Sequence, residues 1–321
     1  MENYNSHVKI SGAIGMKILY NSKINKKIFI FYDDHSNIKY CKFDNFKSKT
    51  KLFISELFNE IINKDIAMIL EEPFIESNSK IKILWENSEH LILFRKFYTK
   101  LMNRCSNEKI CKLFPIDIRL SIFDISPDEI LLNLTNPQLQ YDIKLNKYFE
   151  NIYYLFDLNQ SDVETNSVCI FIKKVLNVYN NSVFYKHLKD RIINFTEKYK
   201  INSTNDTIYN TIKKNSHLSN FVYEEGYPYI SKSDNNFIDE MDKISSAIME
   251  LYSLILMLLL PNKNMIFFAG YYHSNNIAYI LQTYYDFNLE YISGNTDKIE
   301  NKKNNEINNC IKINKKYLKF I

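Results

Sequence analysis

The stretch IFIFYDDHS, residues 28–36, runs five apolar or aromatic residues straight into two aspartates, a histidine and a serine. An apolar run of this length with polar flanks predicts a strand buried on both faces. A turn that merely reverses the chain is ordinarily built from Asn, Gly or Ser. Two carboxylates and an imidazole make this strand end either a solvated loop or one wall of a site. Three further segments repeat the pattern. Residues 66–70 (IAMIL) run into Glu71, Glu72 and Pro73. Residues 113–116 (LFPI) run into Asp117 and Arg119, and residues 265–269 (MIFFA) into Gly270, Tyr271, Tyr272, His273 and Ser274. Pro73 brings no N–H to a ladder and is expected to stop its strand.

Around these segments the pattern predicts alternating strands and helices. Residues 8–20 and 28–32 read as two strands joined by a polar turn. Helical spacing runs over 46–63 and 85–112, and irregularly from about 127 to 236. Residues 237–260 carry Ile238, Met241, Ile244, Ile248, Leu251, Ile255 and Leu258 in one stripe, stopped by Pro261, and read as a helix packed on the sheet. A helix over 277–285 and a strand over 289–292 follow, and from residue 295 an Asn- and Lys-rich tail is expected to be loose. The fold class this implies is α/β: a mostly parallel central sheet flanked by helices, one domain over 1–294, with a helical insertion at about 127–236 and a tail at 295–321. In an open sheet of that kind, ligands bind along the carboxyl ends of the strands.

Composition narrows the function classes. A net charge of +4 over 321 residues gives no concentrated basic face of the sort that binds nucleic acid, and most of the positive excess lies in the tail. Five cysteines without a CxxC pair argue for a reducing compartment and against a disulfide framework or a structural zinc site. The first ten residues hold no apolar signal core, and the longest apolar stretch, 251–260, falls short of the roughly 20 residues a membrane span takes. No P-loop, GxGxxG or nucleophile-elbow serine occurs, which counts against NTPase, dinucleotide and serine-hydrolase chemistry.

Each strand end taken singly is an ordinary loop, and Asp117 with Arg119 reads equally as a plain ion pair. Together they deliver two of the six histidines, several carboxylates and a guanidinium to one edge of the sheet. That set suits general acid–base chemistry. His7, His90, His187 and His217 lie in polar or helical surroundings and read as surface residues.

Five segments carry a resemblance: KKIFIFYDDHSN, MILEEP, FPIDIR, MDKISSAIMELYSLILML and MIFFAGYYHSNNIAYIL. They resemble uncharacterised proteins of large nucleocytoplasmic DNA viruses, and more distantly the order of elements is similar to the erythromycin esterase, ChaN-like and TraB/TIKI superfamily. The resemblance covers about 8–120 and 237–292. It implies a pocket of Asp34, His35, Glu71 or Glu72, Asp117, Arg119, Glu250 and His273. Three positions depart from the viral pattern: Tyr32 or Asp33 replaces a glycine, Glu250 an aspartate, and Leu256 and Met257 stand where an arginine is common.

These readings give a working expectation. The protein is a hydrolase, esterase-like or metal-assisted, acting on a small molecule or peptide. His35 is its general base, and His273, Glu71 and Glu72 are further catalytic groups. Asp34, Asp117, Arg119, Glu250 and Tyr272 bind substrate, Arg119 either holding an anionic group or anchoring Asp117. The metal-assisted form has His35, Glu71 and His273 around Zn²⁺ or Mn²⁺, although no short-range ligand spacing such as HExxH supports it. The departures favour an alternative, a catalytically inactive virion or host-interaction protein that keeps the fold. The resemblance places either in the host cytoplasm or the virion.

Overall fold

The computed structural model describes residues 7–33, 51–53, 65–73, 98, 100, 112–123, 143–158, 167–215, 237–296 and 310–318. The expected helices at 46–63 and 85–112 fall outside them, except that 51–53 is a strand and 98 and 100 are helical. The chain is mixed α/β and forms two compact units.

The first unit is built on a six-stranded sheet of order β6-β5-β7-β3-β2-β8. Its strands are β2 (Gly15–Asn21), β3 (Lys26–Asp33), β5 (Ile66–Pro73), β6 (Leu113–Asp117), β7 (Asn264–Gly270) and β8 (Asn288–Gly294). β7 runs parallel to both β3 and β5, while β2 is antiparallel to β3 and to β8. The sheet is therefore mixed in orientation. β5 takes in Glu71 and Glu72 and ends at Pro73, where the proline was expected to stop it. At β6 only the first three residues belong to this unit.

A second sheet was not legible in the sequence. β1 (His7–Ser11) lies between β4 (Lys51–Phe53), to which it is parallel, and β9 (Cys310–Asn314), to which it is antiparallel. The run read as one strand over 8–20 is thus two strands in two sheets, broken at Gly12 (φ 93°), a left-handed conformation that suits glycine. The tail expected to be loose contributes β9 and the short α9 (Lys315–Leu318), with Ile311 and Ile313 fully buried.

These two isoleucines join Val8 and Ile10 of β1 against one face of the larger sheet, where Met16, Ile18, Phe29, Phe31, Met68, Leu70, Ile266 and Phe268 form the core. Burying each large apolar side chain stabilises the fold by about 1.5–3 kcal/mol before chain entropy is set against it. The alternate residues, Ile28, Ile30, Ile69 and Phe267 among them, form the opposite face. There α8 (Tyr271–Tyr284) packs on β3 and β7. This helix starts directly at the end of β7, so the residues 271–274 expected in a loop form its first turn.

The second unit runs from Ile116 to Leu259 among the described residues and contains α1 (Arg119–Ile122), α2 (Leu145–Tyr148), α3 (Glu150–Leu155), α4 (Ser167–Asn177), α5 (Val183–Lys198), α6 (Ile208–Asn215) and α7 (Phe237–Leu259). α7 is its axis and packs on α1, α4, α5 and α6. The expected stripe understates its burial: Phe237 through Met257 are buried on every face except Asp239. Two of its serines bond back within the helix, Ser245 donating to the Asp242 carbonyl and Ser253 to that of Met249. Among the described residues no helix is long and apolar enough to cross a membrane.

Two glycines set how closely β2 and β8 approach. Gly15 faces Gly294, and a Cβ on Gly15 would lie 2.2 Å from the Asn295 carbonyl oxygen. A Cβ on Gly294 (φ +73°) would lie 2.4 Å from that of Ile14. Gly15→Ala and Gly294→Ala are each expected to lower stability by about 1–3 kcal/mol in urea denaturation, since backbone oxygens cannot swing aside. Parent-like midpoints would show that the ends of β2 and β8 are free to separate.

Candidate functional site

The parallel register brings three strand ends level. Asp33 at the end of β3 pairs with Gly270 at the end of β7, and Leu70 of β5 pairs with Phe268. Successive strand residues point to opposite faces, so Glu71 and Glu72 part company. Glu72 shares the face of Met68 and Leu70 and is 3 % exposed. Burial, together with the charge of the Glu72 carboxylate, pushes the Tyr98 phenol well above its ordinary range. Asp33, also 3 % exposed, lies on that face in register with Gly270.

Glu71 takes the α8 face. Its Oε2 accepts the backbone N–H of Gly270 at 2.6 Å, and its Oε1 stands 3.6 Å from Nε2 of His273. Both side chains are largely enclosed, 7 % exposed for Glu71 and 12 % for His273. Gly270 is the N-cap of α8 and has no side chain to bond the helix N–H groups, and the carboxylate from β5 takes up its own N–H. A negative charge is favoured at that end of a helix. The 2.6 Å bond is of the short, charge-assisted kind, whereas 3.6 Å exceeds a hydrogen bond. Glu71 is thus fixed by the backbone and acts on the imidazole through its charge.

The next residue fastens the turn. Ser274 is fully buried, with Oγ 2.9 Å from the Phe31 carbonyl and 3.0 Å from that of Ala269. On the β3 side stand aromatic rings, Tyr32 with its centroid 5.8 Å from Tyr271, and Tyr271 5.4 Å from Tyr272. The ammonium of Lys17 lies 5.7 Å from the Tyr32 ring centroid. Tyr272, expected to bind substrate, is therefore part of the same first turn as His273.

Of the remaining expected residues, Asp117, Arg119 and Glu250 belong to the second unit. His35 and Asp34 lie outside the described residues. Asp117 and the guanidinium of Arg119 pair in two places, Nε to Oδ1 at 2.8 Å and Nη2 to Oδ2 at 3.1 Å. Arg119 opens α1 instead of continuing β6, and of its two expected roles the fork geometry shows the anchoring of Asp117. Glu250 is buried within α7, 1 % exposed. The structure thus brings Glu71 together with His273, and Asp117 together with Arg119. Sequence reasoning gave no role to Gly270 or Ser274. The Gly-x-x-x-Ser spacing at a strand end was the one signal available, and it carries little information alone.

The Gly270 N–H is buried, so its acceptor has a measurable effect. Glu71→Gln keeps an oxygen for it and Glu71→Ala does not. The alanine variant is expected to be less stable than the glutamine variant by about 1–3 kcal/mol in denaturant titration. Equal stabilities would mean that the carboxylate does not hold the start of α8.

No protein-family model, curated protein or solved structure matches this chain, so its chemistry has to be argued from these residues.

Proposed function

We propose that the protein is a hydrolase in which His273 exchanges the proton and Glu71 beside it supports the charged imidazole. The observation that carries this reading is the Glu71 carboxylate, fixed by the Gly270 N–H with the His273 ring 3.6 Å away at the level ends of parallel strands. A carboxylate beside an imidazole selects its tautomer and stabilises the imidazolium that forms when it takes a proton. His35, two residues beyond Asp33 in the chain, supplies the general base in this reading, and His273 the acid. The wider reading takes the sheet as a mostly parallel core with a helical insertion at 127–236. It takes the chain as a viral relative of the erythromycin esterase, ChaN-like and TraB/TIKI superfamily. The substrate is then a small molecule or peptide, and the place of action the host cytoplasm or the virion.

One measurement favours a metal-assisted form as the second reading. Two ligands of one tetrahedral ion stand roughly 3.4 Å apart, close to the Glu71–His273 separation. These two side chains together with His35 would hold Zn²⁺ or Mn²⁺, and the ion would supply an acidified water. Among the described residues no group of three or more His, Cys, Asp or Glu is placed to hold one.

The test is hydrolysis of a panel of carboxylic esters and peptides by the full chain, with and without added Zn²⁺ or Mn²⁺, alongside elemental analysis. His273→Ala is expected to lower kcat/KM by about 10²-fold or more, the usual worth of a positioned acid or base. Because the ring is largely enclosed, the variant is also expected to lose about 1–3 kcal/mol of stability, and its activity is compared at a temperature where both proteins are folded. Activity surviving in His273→Ala would remove the pair from the mechanism. A parent inert on every substrate and metal would point to the inactive, interaction-protein alternative.

A further inference from the structure

We propose that Ser274 is a positioning residue for His273, its hydroxyl clamping the first turn of α8 to β3 and β7 so that the imidazole is held beside Glu71. The proposal rests on the acid–base reading of the Glu71–His273 pair. Serines inside helices ordinarily bond back to a carbonyl three or four residues earlier in the same helix. Ser245 and Ser253 of α7 do so. Ser274 does not. Its Oγ reaches Ala269, which lies in β7 before the helix begins, and Phe31, which lies in β3. A hydroxyl has one proton, so the two carbonyls share a single donor and neither strand end can move independently of it.

The rest of the turn shows why such a clamp matters. Gly270 makes no side-chain cap, and α8 leaves the sheet with no connecting loop, so its direction is set at the first turn. Glu71 of β5 holds the Gly270 N–H, while Ser274 holds to β3 and β7. One turn carrying one histidine is thereby tied to three neighbouring parallel strands. The fastening residue is adjacent to His273 in the chain, so a shift at Ser274 carries directly into the imidazole. A serine serving stability alone would show no such coupling.

The experiment is histidine side-chain NMR on the full chain at one fixed pH, the His273 signal being identified by its loss in His273→Gln. Glu71→Gln is expected to displace that signal, and Ser274→Ala to displace it too, in a sample that remains folded. Ser253→Ala, which removes a comparable buried hydroxyl–carbonyl bond in the other unit, is expected to leave it in place. A His273 signal unmoved in Ser274→Ala but moved in Glu71→Gln would overturn the positioning role and leave the pair intact. A signal unmoved in Glu71→Gln would overturn the pair itself, and this proposal with it. Displacement by Ser253→Ala as well would overturn the role by showing a general response to lost stability. If Ser274→Ala does not fold, Ser274→Cys, which keeps the size and a weak donor, is read in the same way.

Discussion

Parallel pairing of β7 with β3 on one side and β5 on the other is the constraint on which the candidate site depends. Once Asp33 is in register with Gly270 and Leu70 with Phe268, the three strands end at one level. Every later feature of the site follows from that alignment. The pleat sends Glu71 and Glu72 to opposite faces. The carboxylate on the α8 face then meets the backbone N–H at which the next helix begins, and His273 arrives three residues into that helix. No loop intervenes to absorb an error in register. A slip of one residue in β5 would put Glu72 where Glu71 is and send the other carboxylate into the apolar face.

That dependence explains which parts of the site were legible in the sequence. The apolar runs over 28–32, 66–70 and 265–269 announce buried strands, and the ionisable residues after them announce a polar edge. Which of Glu71 and Glu72 faces the helix is decided by the phase of the pleat. That phase is set by pairing with β7, almost 200 residues away in the chain. Tyr271 to Ser274 read as loop because aromatic and polar residues at a strand end lack helix propensity. They are helical because the turn is fastened from outside by Glu71 and Ser274. The start of α1 was hidden for a related reason: the fork of Arg119 holds Asp117 across the point where β6 ends and α1 begins. The second sheet escaped detection because β4 has three residues inside a run of helical spacing. The Ile311 and Ile313 alternation, by contrast, was a fair strand signal hidden in a lysine-rich tail.

The second unit shows a different balance between sequence and structure. The composition of α7 marks it plainly as a helix, and its lack of an exposed face means that its charged residues need partners inside the unit. Glu240, 6 % exposed, accepts from Lys198 of α5 at 2.5 Å. The hydroxyl of Tyr199, just beyond α5, stands 3.5 Å from the same oxygen. Burial alone would lower the Lys198 ammonium, and the hydrogen bond and charge of Glu240 outweigh it, so the net shift is upward. The Tyr199 phenol is raised, by burial first and then by the same carboxylate. The Phe237 ring packs 5.3 Å from Phe195 and 4.7 Å from Tyr199, measured between centroids. The Glu240 end of the contact is thus flanked by aromatic surface. Lys198 itself is 40 % exposed, so the pair adds little net stability, and its larger effect is to keep the enclosed Glu240 carboxylate from standing without a cation.

The site in the first unit has an asymmetry of the same origin. Across the strand ends on the α8 face, Tyr32 of β3 pairs with Ala269 of β7, and Glu71 lies beyond it on β5. The middle position is a methyl group, which leaves space for the start of α8 to sit down on the sheet. On the β3 side that turn meets the rings of Tyr32, Tyr271 and Tyr272, and on the β5 side it meets a carboxylate. The first turn of α8 therefore has an aromatic flank and an anionic one. An imidazole enclosed by rings alone would lose solvation without compensation, and one beside a carboxylate in open water would be weakly coupled to it. Enclosure strengthens the effect of the Glu71 charge on the imidazole, and Glu71 is itself held by the Gly270 N–H.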